Sequence, residues 1–196
     1  MAAKLTSITG LPASGKTTLA EALAAELPAE IIYEDYAGNP FLAEAYTGNA
    51  EARLPSQLYY LTSRVKQLSR WTWPDDGVVV TDYGFCQDRI YARATLSEAD
   101  WNAYAALAER VEPLVHPPAG IVHLEAPNAV LLERIARRGR PFERGIDAGF
   151  LSTMRRAYSR LEARAACPVF RVDCETTDVG TAAGRADLLA WIRELP

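Results

Sequence analysis

A segment near the start of the chain has the residue types and spacing that bind phosphate. Residues 10–17 read GLPASGKT, the pattern G-x-x-x-x-G-K-T. Glycines let the backbone wrap around phosphate oxygens, and backbone N–H groups at the following helix N-terminus point at the anion. The lysine reaches the terminal phosphates, and the threonine hydroxyl holds Mg²⁺. The motif predicts a nucleoside triphosphate site made of Gly10, Pro12, Ala13, Ser14, Gly15, Lys16, Thr17 and Thr18.

Two carboxylates follow short apolar runs that we interpret as strands. Ligands of open parallel sheets bind beyond the carboxyl ends of the strands, so both carboxylates are expected near the phosphates. Glu34, at the end of the second predicted strand, can take the proton from an attacking hydroxyl. A solvated loop carboxylate explains its position equally well. Asp82 directly follows an apolar run, the arrangement that orients Mg²⁺ or its waters in P-loop enzymes.

A third group of polar residues lies on a predicted helix. Gln57 and Arg64 are seven residues apart and project from one face, which also carries Leu61 and Leu68. Buried amide and guanidinium groups need hydrogen-bond partners. The edge of a planar base can supply them, and so can an internal carboxylate such as Asp88. The spacing leaves a base-reading site and a structural Arg–Asp pair both open.

The densest cationic cluster of the chain comprises Arg134, Arg137, Arg138, Arg140 and Arg144. Arg134 and Arg138 are four residues apart and share one helix face. Gly139 is expected to end that helix, and Pro141 stiffens the segment after it. This pattern is typical of a lid, at about 137–146, whose guanidinium groups neutralise a transferred phosphoryl group. A solvated basic helix end, favoured by the helix dipole, is the alternative.

Short apolar runs alternate with longer helical segments, which predicts one α/β domain over 1–196 with a parallel sheet and helices on both faces. The predicted strands are Leu5–Ile8, Glu30–Glu34, Val78–Thr81, Ile121–Leu124 and Val169–Val172. The predicted helices are Lys16–Leu27, Leu54–Trp71, Phe85–Ala94, Ser97–Val115, Ala129–Arg138, Gly149–Arg164 and Gly184–Leu195, with a short one at Leu42–Tyr46.

The predicted helix over Ser97–Val115 carries an aromatic stripe. Trp101, Tyr104 and Ala108 recur at steps of three and four residues, so they form one face. Ser97 and Asp100 resemble a capping box in which Asp replaces the usual Glu. Core packing or a subunit interface explains this face better than a functional role does.

Composition narrows the class of protein. The chain has 196 residues, of which 49% are apolar, as expected for a soluble globular domain with a proper core. Its net charge of −4 argues against a wide nucleic-acid-binding face. No run approaches the roughly 18 apolar residues of a membrane span. We therefore expect neither a nucleic acid polymer nor a membrane as partner.

Cysteine and histidine usage favours a reducing compartment. Cys86, Cys167 and Cys174 are odd in number and lack metal-like spacing, which argues against a disulfide framework. His116 and His123 have no partners at ligand spacing, so a zinc site is not expected. The N-terminus shows no signal-peptide pattern. These features predict a cytoplasmic protein.

Taken together, these positions resemble the deoxynucleoside kinase family, especially its bacterial deoxyadenosine/deoxyguanosine kinase branch. The stretches that carry the resemblance are NPFL (39–42), QLYYLTSRVKQL (57–68), DRIYA (88–92) and RIARRGRPFERGID (134–147). The last is the most specific, because P-loop enzymes of other families lack it after the lid helix. The resemblance runs from the P-loop to about Leu161. It implies a P-loop kinase fold, with a five-stranded parallel sheet flanked by helices and an arginine-bearing lid.

The resemblance implies roles for residues that would contact a deoxynucleoside. Glu34 is the implied general base, which activates the 5′-hydroxyl of the sugar. Tyr46 and Glu143 match the pair that holds the 3′-hydroxyl.

The resemblance also implies which residues contact the base. Gln57, Arg64 and Asp88 match the trio that reads the base edge. Tyr91 lies near the family's base-stacking aromatic, although the spacing is one residue short.

At the phosphates, Lys16 and the lid arginines Arg134, Arg138 and Arg140 match the family, and Asp82 matches the acidic residue near the metal. Arg134 and Arg138 are expected to act in catalysis, and Arg138 and Arg140 to contact ATP.

One position departs from the family. Where an acidic-Arg-Ser motif is common, this chain has Asp82-Tyr83-Gly84. The arginine expected near the acceptor oxygen is therefore absent at Tyr83. Either Arg89 or a lid arginine substitutes for it, or turnover is slow.

The expected activity is transfer of the γ-phosphate of ATP, with Mg²⁺, to the 5′-hydroxyl of a deoxynucleoside, with a purine base favoured. Relatives are commonly homodimers, and the aromatic helix can supply the interface. Two alternatives stay open: a nucleoside monophosphate kinase similar to thymidylate kinase, and an ATP-driven switch without a small acceptor. The first needs extra cations near the acceptor to hold a monophosphate.

Overall fold

Five parallel strands form one sheet in the computed structural model, which describes residues 2–196. The strands are β1 (Lys4–Gly10), β2 (Glu30–Ile32), β3 (Val78–Thr81), β4 (Gly120–Glu125) and β5 (Val169–Asp173). Their spatial order is β2-β3-β1-β4-β5, and every neighbouring pair is parallel. The predicted α/β fold with a five-stranded parallel sheet is confirmed.

Helices connect the strands and cover the sheet. They are α1 (Lys16–Glu26), α2 (Leu42–Tyr46), α3 (Ala50–Gln67), α4 (Phe85–Thr95), α5 (Glu98–Val111), α6 (Asn128–Arg138), α7 (Ala148–Tyr158), α8 (Leu161–Arg164) and α9 (Ala182–Glu194). Short 3₁₀ turns follow α5 and α6, at Glu112–Leu114 and Pro141–Glu143.

The core lies on both faces of the sheet because successive strand residues point to opposite sides. On one face, Ile8, Val80 and Val122 pack against α1 and α9. On the other, Ile121 packs against α6 and α7. Both faces of the central strands are thus buried, as is usual for parallel sheets covered by helices on both sides.

The helix that carries Gln57 and Arg64 begins and ends earlier than predicted. The residue pattern predicts Leu54–Trp71, whereas α3 spans Ala50–Gln67. The Asn49 side chain caps the helix by accepting from the backbone N–H of Glu51 at 3.1 Å. The cap satisfies a free N–H at the helix start, so the helix forms ahead of Pro55.

Two predicted helices are interrupted, and local chemistry explains both. The helix predicted at Ser97–Val115 changes to a 3₁₀ turn after Val111, because Pro113 has no N–H to continue the α-helix. The helix predicted at Gly149–Arg164 is split into α7 and α8. There the Ser159 hydroxyl donates to the Arg156 carbonyl oxygen at 2.7 Å, in competition with the backbone ladder. Other boundaries differ by one or two residues.

The aromatic face of α5 lies inside the protein. Tyr104 is fully buried against Leu61, Ala92 and Ala108, and its ring stacks on that of Trp101 at 6.0 Å. The Ser97 hydroxyl accepts from the Asp100 N–H at 3.2 Å, which confirms the predicted helix start. The stripe is therefore core, and Tyr104 is not available to another subunit.

The segment predicted as a lid contains the end of α6. Gly139, at φ +66°, ends α6, and the 3₁₀ turn over Pro141–Glu143 comes next. A Cβ on Gly145 would lie 1.9 Å from the Tyr46 carbonyl oxygen. The end of the lid segment therefore packs directly on the backbone of α2.

Within residues 2–196, no helix combines the length and the apolar composition needed to cross a membrane.

A buried histidine should make this fold sensitive to acid. His123 on β4 meets the Thr9 hydroxyl at 3.0 Å through Nδ1 and stacks on the Tyr158 ring. Burial, helped by the nearby Arg171 and Lys16, lowers the pKa of His123 to about 4. The unfolded chain therefore takes up the proton first as pH falls through about 6.5. The contribution of the neutral His123 to the free energy of unfolding is fully present above that pH and is lost between about pH 6.5 and 4.

We expect His123→Gln to remove this component. Relative to the variant, the wild-type free energy of unfolding should fall by about 2 kcal/mol from pH 7 to pH 5. Urea titrations at both pH values measure the difference, and the less buried His116→Gln is the control. Equal pH dependence of the wild type and His123→Gln would contradict the assignment.

Candidate active site

The GLPASGKT segment forms the turn between β1 and α1. Gly10 has φ +147°, and a Cβ there would lie 2.7 Å from the Leu124 carbonyl oxygen. Gly15 precedes the helix at φ +101°. The Lys16 ammonium folds over the loop, 3.1 Å from the Gly10 carbonyl oxygen. Burial lowers the pKa of Lys16, so an anionic phosphate is its natural partner.

Asp82 joins the phosphate loop to the segment after β2. Its Oδ2 accepts from the Thr17 hydroxyl at 2.6 Å, and its Oδ1 accepts from the Glu34 backbone N–H at 2.7 Å. Mg²⁺ is commonly held by one or two carboxylates together with waters and substrate phosphates. The Thr17–Asp82 pair fits that requirement. Among the described residues, no three or more His, Cys, Asp or Glu side chains are placed so that together they could hold a metal ion.

Glu34 lies two residues beyond β2, not at the end of a strand as predicted. The strand ends at Ile32 because β3 pairs with β2 only as far as that residue. The Glu34 carboxylate is about one-fifth exposed and lines the central cavity. Its Oε1 accepts from Arg64 Nη2 and, at 3.3 Å, from Gln87 Nε2.

Arg64 is a buried cation shared by two carboxylates. Its Nη2 contacts Glu34 and its Nη1 contacts Asp88, which is itself buried. The guanidinium also lies over the rings of Tyr60 at 5.2 Å and Tyr83 at 4.8 Å. Burial raises the pKa of Asp88 to about 7, against the opposing effect of Arg64.

The predicted Arg64–Asp88 pair is thus present, and it lies in the wall of a cavity. Arg64 Nε and Asp88 Oδ2 have no partner among residues 2–196. A buried polar atom without a partner is costly, and a ligand with donors and acceptors on one edge can relieve that cost. The structure thus shows the pair in the cavity wall, and the base-reading role of these residues stays a prediction.

One large cavity is lined by the predicted site residues except Gly10. Its volume is about 1320 Å³, enough for more than one small ligand. The residues predicted to contact the deoxynucleoside line one end, which we call the acceptor end: Tyr46, Gln57, Arg64, Asp88, Tyr91 and Glu143. At the phosphate end it is lined by Lys16, Thr17, Asp82, Arg134, Arg138 and Arg140.

The two residues matched to the sugar 3′-hydroxyl lie on opposite sides of the contact between the lid and α2. Glu143 is buried, and its carboxylate accepts from Arg138 through Nε at 3.0 Å and through Nη2. Burial raises the pKa of the Tyr46 hydroxyl, and the nearby Glu34 and Glu143 raise it further. Without ligand, Glu143 is therefore occupied by a lid arginine.

The other lid arginines also have partners within the chain. The Arg140 guanidinium lies 4.3 Å from the centre of the Tyr36 ring. Arg134 Nη1 lies 3.4 Å from the Ala13 carbonyl oxygen, on the phosphate loop itself. Arg134 thus contacts the phosphate loop, whereas Arg138 and Arg140 line the same cavity from the segment after α6.

The structure also shows what surrounds the position where the family's arginine is missing. Tyr83 is fully buried, and its hydroxyl donates to Gln67 Oε1 at 2.8 Å. Arg89, a suggested substitute, pairs with Glu112 at 3.0 Å and does not line the cavity. The side chains that reach Glu34 are Arg64 and Gln87 instead.

Several residues of the cavity wall are not predicted from the sequence. Gln87 carries no motif, although it directly precedes Asp88 at the start of α4. Tyr36 and Tyr60 stack on Arg140 and Arg64, and no sequence pattern predicts these contacts. The loop over 174–180 also lines the cavity, and its Thr, Asp and Gly composition resembles any surface turn.

The phosphate loop should not tolerate a side chain at Gly10. Gly10→Ala combines a positive φ with a clash against the Leu124 carbonyl, so we expect it to abolish ATP binding and to cost more than about 2 kcal/mol. Gly77→Ala is the matched control, since Gly77 has φ +95° but open space around its Cβ position. Calorimetric ATP titration and urea unfolding measure both effects. ATP binding by Gly10→Ala at wild-type affinity would contradict the loop geometry.

Comparison with known proteins places the chain in a family. The deoxynucleoside kinase family model matches residues 6–195. The chain is 30% identical to a deoxyadenosine kinase of Dictyostelium discoideum, over 78% of this chain and 64% of that protein. It is 30% identical to a deoxyguanosine kinase of Bacillus subtilis, over 76% of this chain and 73% of that protein. The match thus spans less than two thirds of the Dictyostelium enzyme.

Solved structures agree on the fold. A deoxyadenosine kinase of M. mycoides with bound dATP superimposes with a TM-score of 0.82 at 22% identity, over 97% of this chain and 100% of that chain. The same enzyme with bound dCTP gives a TM-score of 0.81 at 22% identity, over 96% and 98% of the two chains. The fold is that of a P-loop kinase. The family match over nearly the whole length shows that the chain belongs to the deoxynucleoside kinase family and is a kinase.

Proposed function

We propose that this kinase transfers the γ-phosphoryl group of ATP to the 5′-hydroxyl of a purine deoxynucleoside. One observation carries the proposal. The Glu34 backbone is tied to Asp82 beside the phosphate loop, while the Glu34 carboxylate meets Arg64 at the acceptor end of the cavity. A hydroxyl bound next to Glu34 therefore lies between the acceptor pocket and the phosphates.

In the proposed reaction Glu34 accepts the proton of the 5′-hydroxyl as the hydroxyl oxygen attacks the γ-phosphorus, and the bond from that phosphorus to the β,γ-bridging oxygen breaks, so that ADP leaves. The carboxylate is held by neighbouring donors, so it needs little reorganisation before the transfer. Tyr46 and Glu143 hold the 3′-hydroxyl, and Tyr91 packs against the base.

Gln57, Arg64 and Asp88 read the base edge. The amide offers both a donor and an acceptor, and the guanidinium offers donors only. An Asp88 with a raised pKa can present either an acceptor or, when protonated, a donor. This set suits a neutral base with mixed groups along one edge, as adenine and guanine both have.

The phosphate end of the cavity supplies positive charge that neutralises the phosphates of ATP. Lys16 and the backbone of the phosphate loop hold the phosphates, and Thr17 with Asp82 would hold Mg²⁺. When bound, the metal neutralises charge on the β- and γ-phosphate oxygens. Arg134, Arg138 and Arg140 stabilise the transferred group from the lid.

The preference for a purine is supported by the relatives. Two of the similar proteins are a deoxyadenosine kinase and a deoxyguanosine kinase. A third, from Bacillus subtilis, is a deoxyadenosine/deoxycytidine kinase, which is 27% identical over 88% of this chain and 83% of that protein. A pyrimidine therefore belongs in any test of specificity.

The proposal extends to assembly and location. We propose a homodimer whose interface excludes the buried face of α5; an exposed candidate on that helix is Leu107. We also propose a reducing, cytoplasmic environment, since Cys86, Cys167 and Cys174 are all free thiols.

The monophosphate kinase alternative fares worse at the acceptor end. Of the arginines there, Arg64 is shared by two carboxylates, and Arg53 donates to the Thr95 carbonyl oxygen at 3.3 Å. Neither is free to hold an additional phosphate dianion. The family match likewise favours a nucleoside acceptor.

The acceptor is tested by offering Mg-ATP with each of the four deoxynucleosides and, separately, their monophosphates. We expect monophosphate from deoxyadenosine or deoxyguanosine, at a higher kcat/KM than from the pyrimidines, with products resolved by chromatography. Diphosphate formed only from monophosphates would favour the nucleotide kinase. ADP without any phosphorylated acceptor would favour the ATP-driven switch.

Glu34→Gln tests the base. The amide keeps the shape but cannot take the proton, so kcat should fall about 10²- to 10⁴-fold while the deoxynucleoside still binds. Asp35→Asn is the control, because this neighbouring carboxylate accepts from the Tyr59 hydroxyl and does not line the cavity. Its kcat should stay within a few fold of wild type. Near-normal turnover by Glu34→Gln would overturn the role of Glu34.

A further inference from the structure

Glu34 is held from two helices. Arg64 reaches it from α3, and Gln87 reaches it from α4, with Nε2 at 3.3 Å from Oε1. Arg89, two residues along α4, turns outward to Glu112. Tyr83, where the family commonly has an arginine, contributes its ring to Arg64 but nothing to the Glu34 carboxylate.

The orientation of the Gln87 amide follows from chemistry. An ionised carboxylate only accepts hydrogen bonds, so the amide must turn its NH₂ group toward Glu34. The amide oxygen of this buried side chain is left without a partner among residues 2–196. Leaving it so costs stability, which a smaller or apolar residue would avoid. The unpartnered oxygen is therefore the consequence of turning the amide so that it donates to Glu34.

Arg64 is a shared donor, because its Nη2 contacts Glu34 and its Nη1 contacts Asp88. A bound base that accepts from either of these groups competes with a carboxylate for it. A second donor that does not contact the base is needed to keep the carboxylate in place.

We propose that Gln87 is a positioning residue that holds the Glu34 carboxylate for proton transfer, in place of the arginine that is absent at Tyr83. This inference rests on the proposed function. A neutral amide orients the carboxylate through one hydrogen bond and adds no full positive charge beside it.

Two substitutions separate positioning from structure. Gln87→Met keeps the volume and loses the donor. Gln87→Glu keeps the shape and places a negative charge beside Glu34. The charged and titratable groups that already surround that carboxylate are Lys16, Tyr46, Tyr60, Arg64, Asp82, Tyr83, Asp88, Tyr91 and Tyr158. They are common to all variants, so differences between the pH profiles report on position 87.

For Gln87→Met we expect kcat to fall about tenfold, as for loss of one hydrogen bond to a charged group, with the KM for deoxynucleoside within about threefold. The acid limb of the plot of kcat/KM against pH should shift to higher pH by about half a unit in Gln87→Met, and by about one unit or more in Gln87→Glu. Arg89→Ala should leave the profile unchanged. Thermal unfolding of each variant shows whether it is folded.

Wild-type kcat and an unmoved profile in both Gln87 variants would overturn the proposal. A shifted profile in Arg89→Ala would assign the role to Arg89 and also overturn it. Loss of folding in both Gln87 variants would make the residue structural. If the wild type phosphorylates no deoxynucleoside, the proposed function fails first. If Glu34→Gln loses turnover while both Gln87 variants keep the wild-type kcat and pH profile, this inference fails alone.

Discussion

The shared guanidinium of Arg64 is the interaction on which the acceptor end of the site depends. One buried cation lies between two carboxylates, Glu34 after β2 and Asp88 on α4. Removing Arg64 would leave the buried Asp88 carboxylate without its cation, which is strongly destabilising in a protein interior. The three segments are therefore fixed relative to one another before any ligand arrives. Because the cluster carries one negative charge in excess when both carboxylates are ionised, burial favours a proton on Asp88.

A second constraint connects this cluster to the phosphate loop. Asp82 uses one oxygen for the Thr17 hydroxyl and the other for the backbone of Glu34. The carboxyl ends of β1, β2 and β3 are thereby joined by one side chain. The distance between a phosphate on the loop and a hydroxyl beside Glu34 is thus set by rigid strand ends. Small errors in that distance are costly to phosphoryl transfer, which depends on positioning more than on covalent chemistry.

The sequence predicted what local rules determine. The phosphate motif, the parallel sheet and the helix end at Gly139 each follow from short-range patterns. The pairing of Arg64 with Asp88 followed from helix spacing and the need of buried charges for partners. Glu34 was placed correctly only in part, because strand ends depend on pairing with β3 and not on composition. Gln87 had no such signal. Its role depends on how α4 packs beside the segment after β2, a contact between residues 53 positions apart.

The lid arginines have favourable partners within the chain. Arg138 rests on Glu143, and Arg140 rests on the Tyr36 ring, so neither guanidinium is left without a favourable contact. In the proposed reaction a triphosphate competes for both, and its greater charge makes it the stronger partner for a guanidinium. When Arg138 turns to phosphate it releases both oxygens of Glu143, which is the residue matched to the 3′-hydroxyl. Binding of the donor would thus free a contact for the acceptor. The same carboxylate cannot serve the lid and the sugar fully at once, and this links the two ends of the cavity.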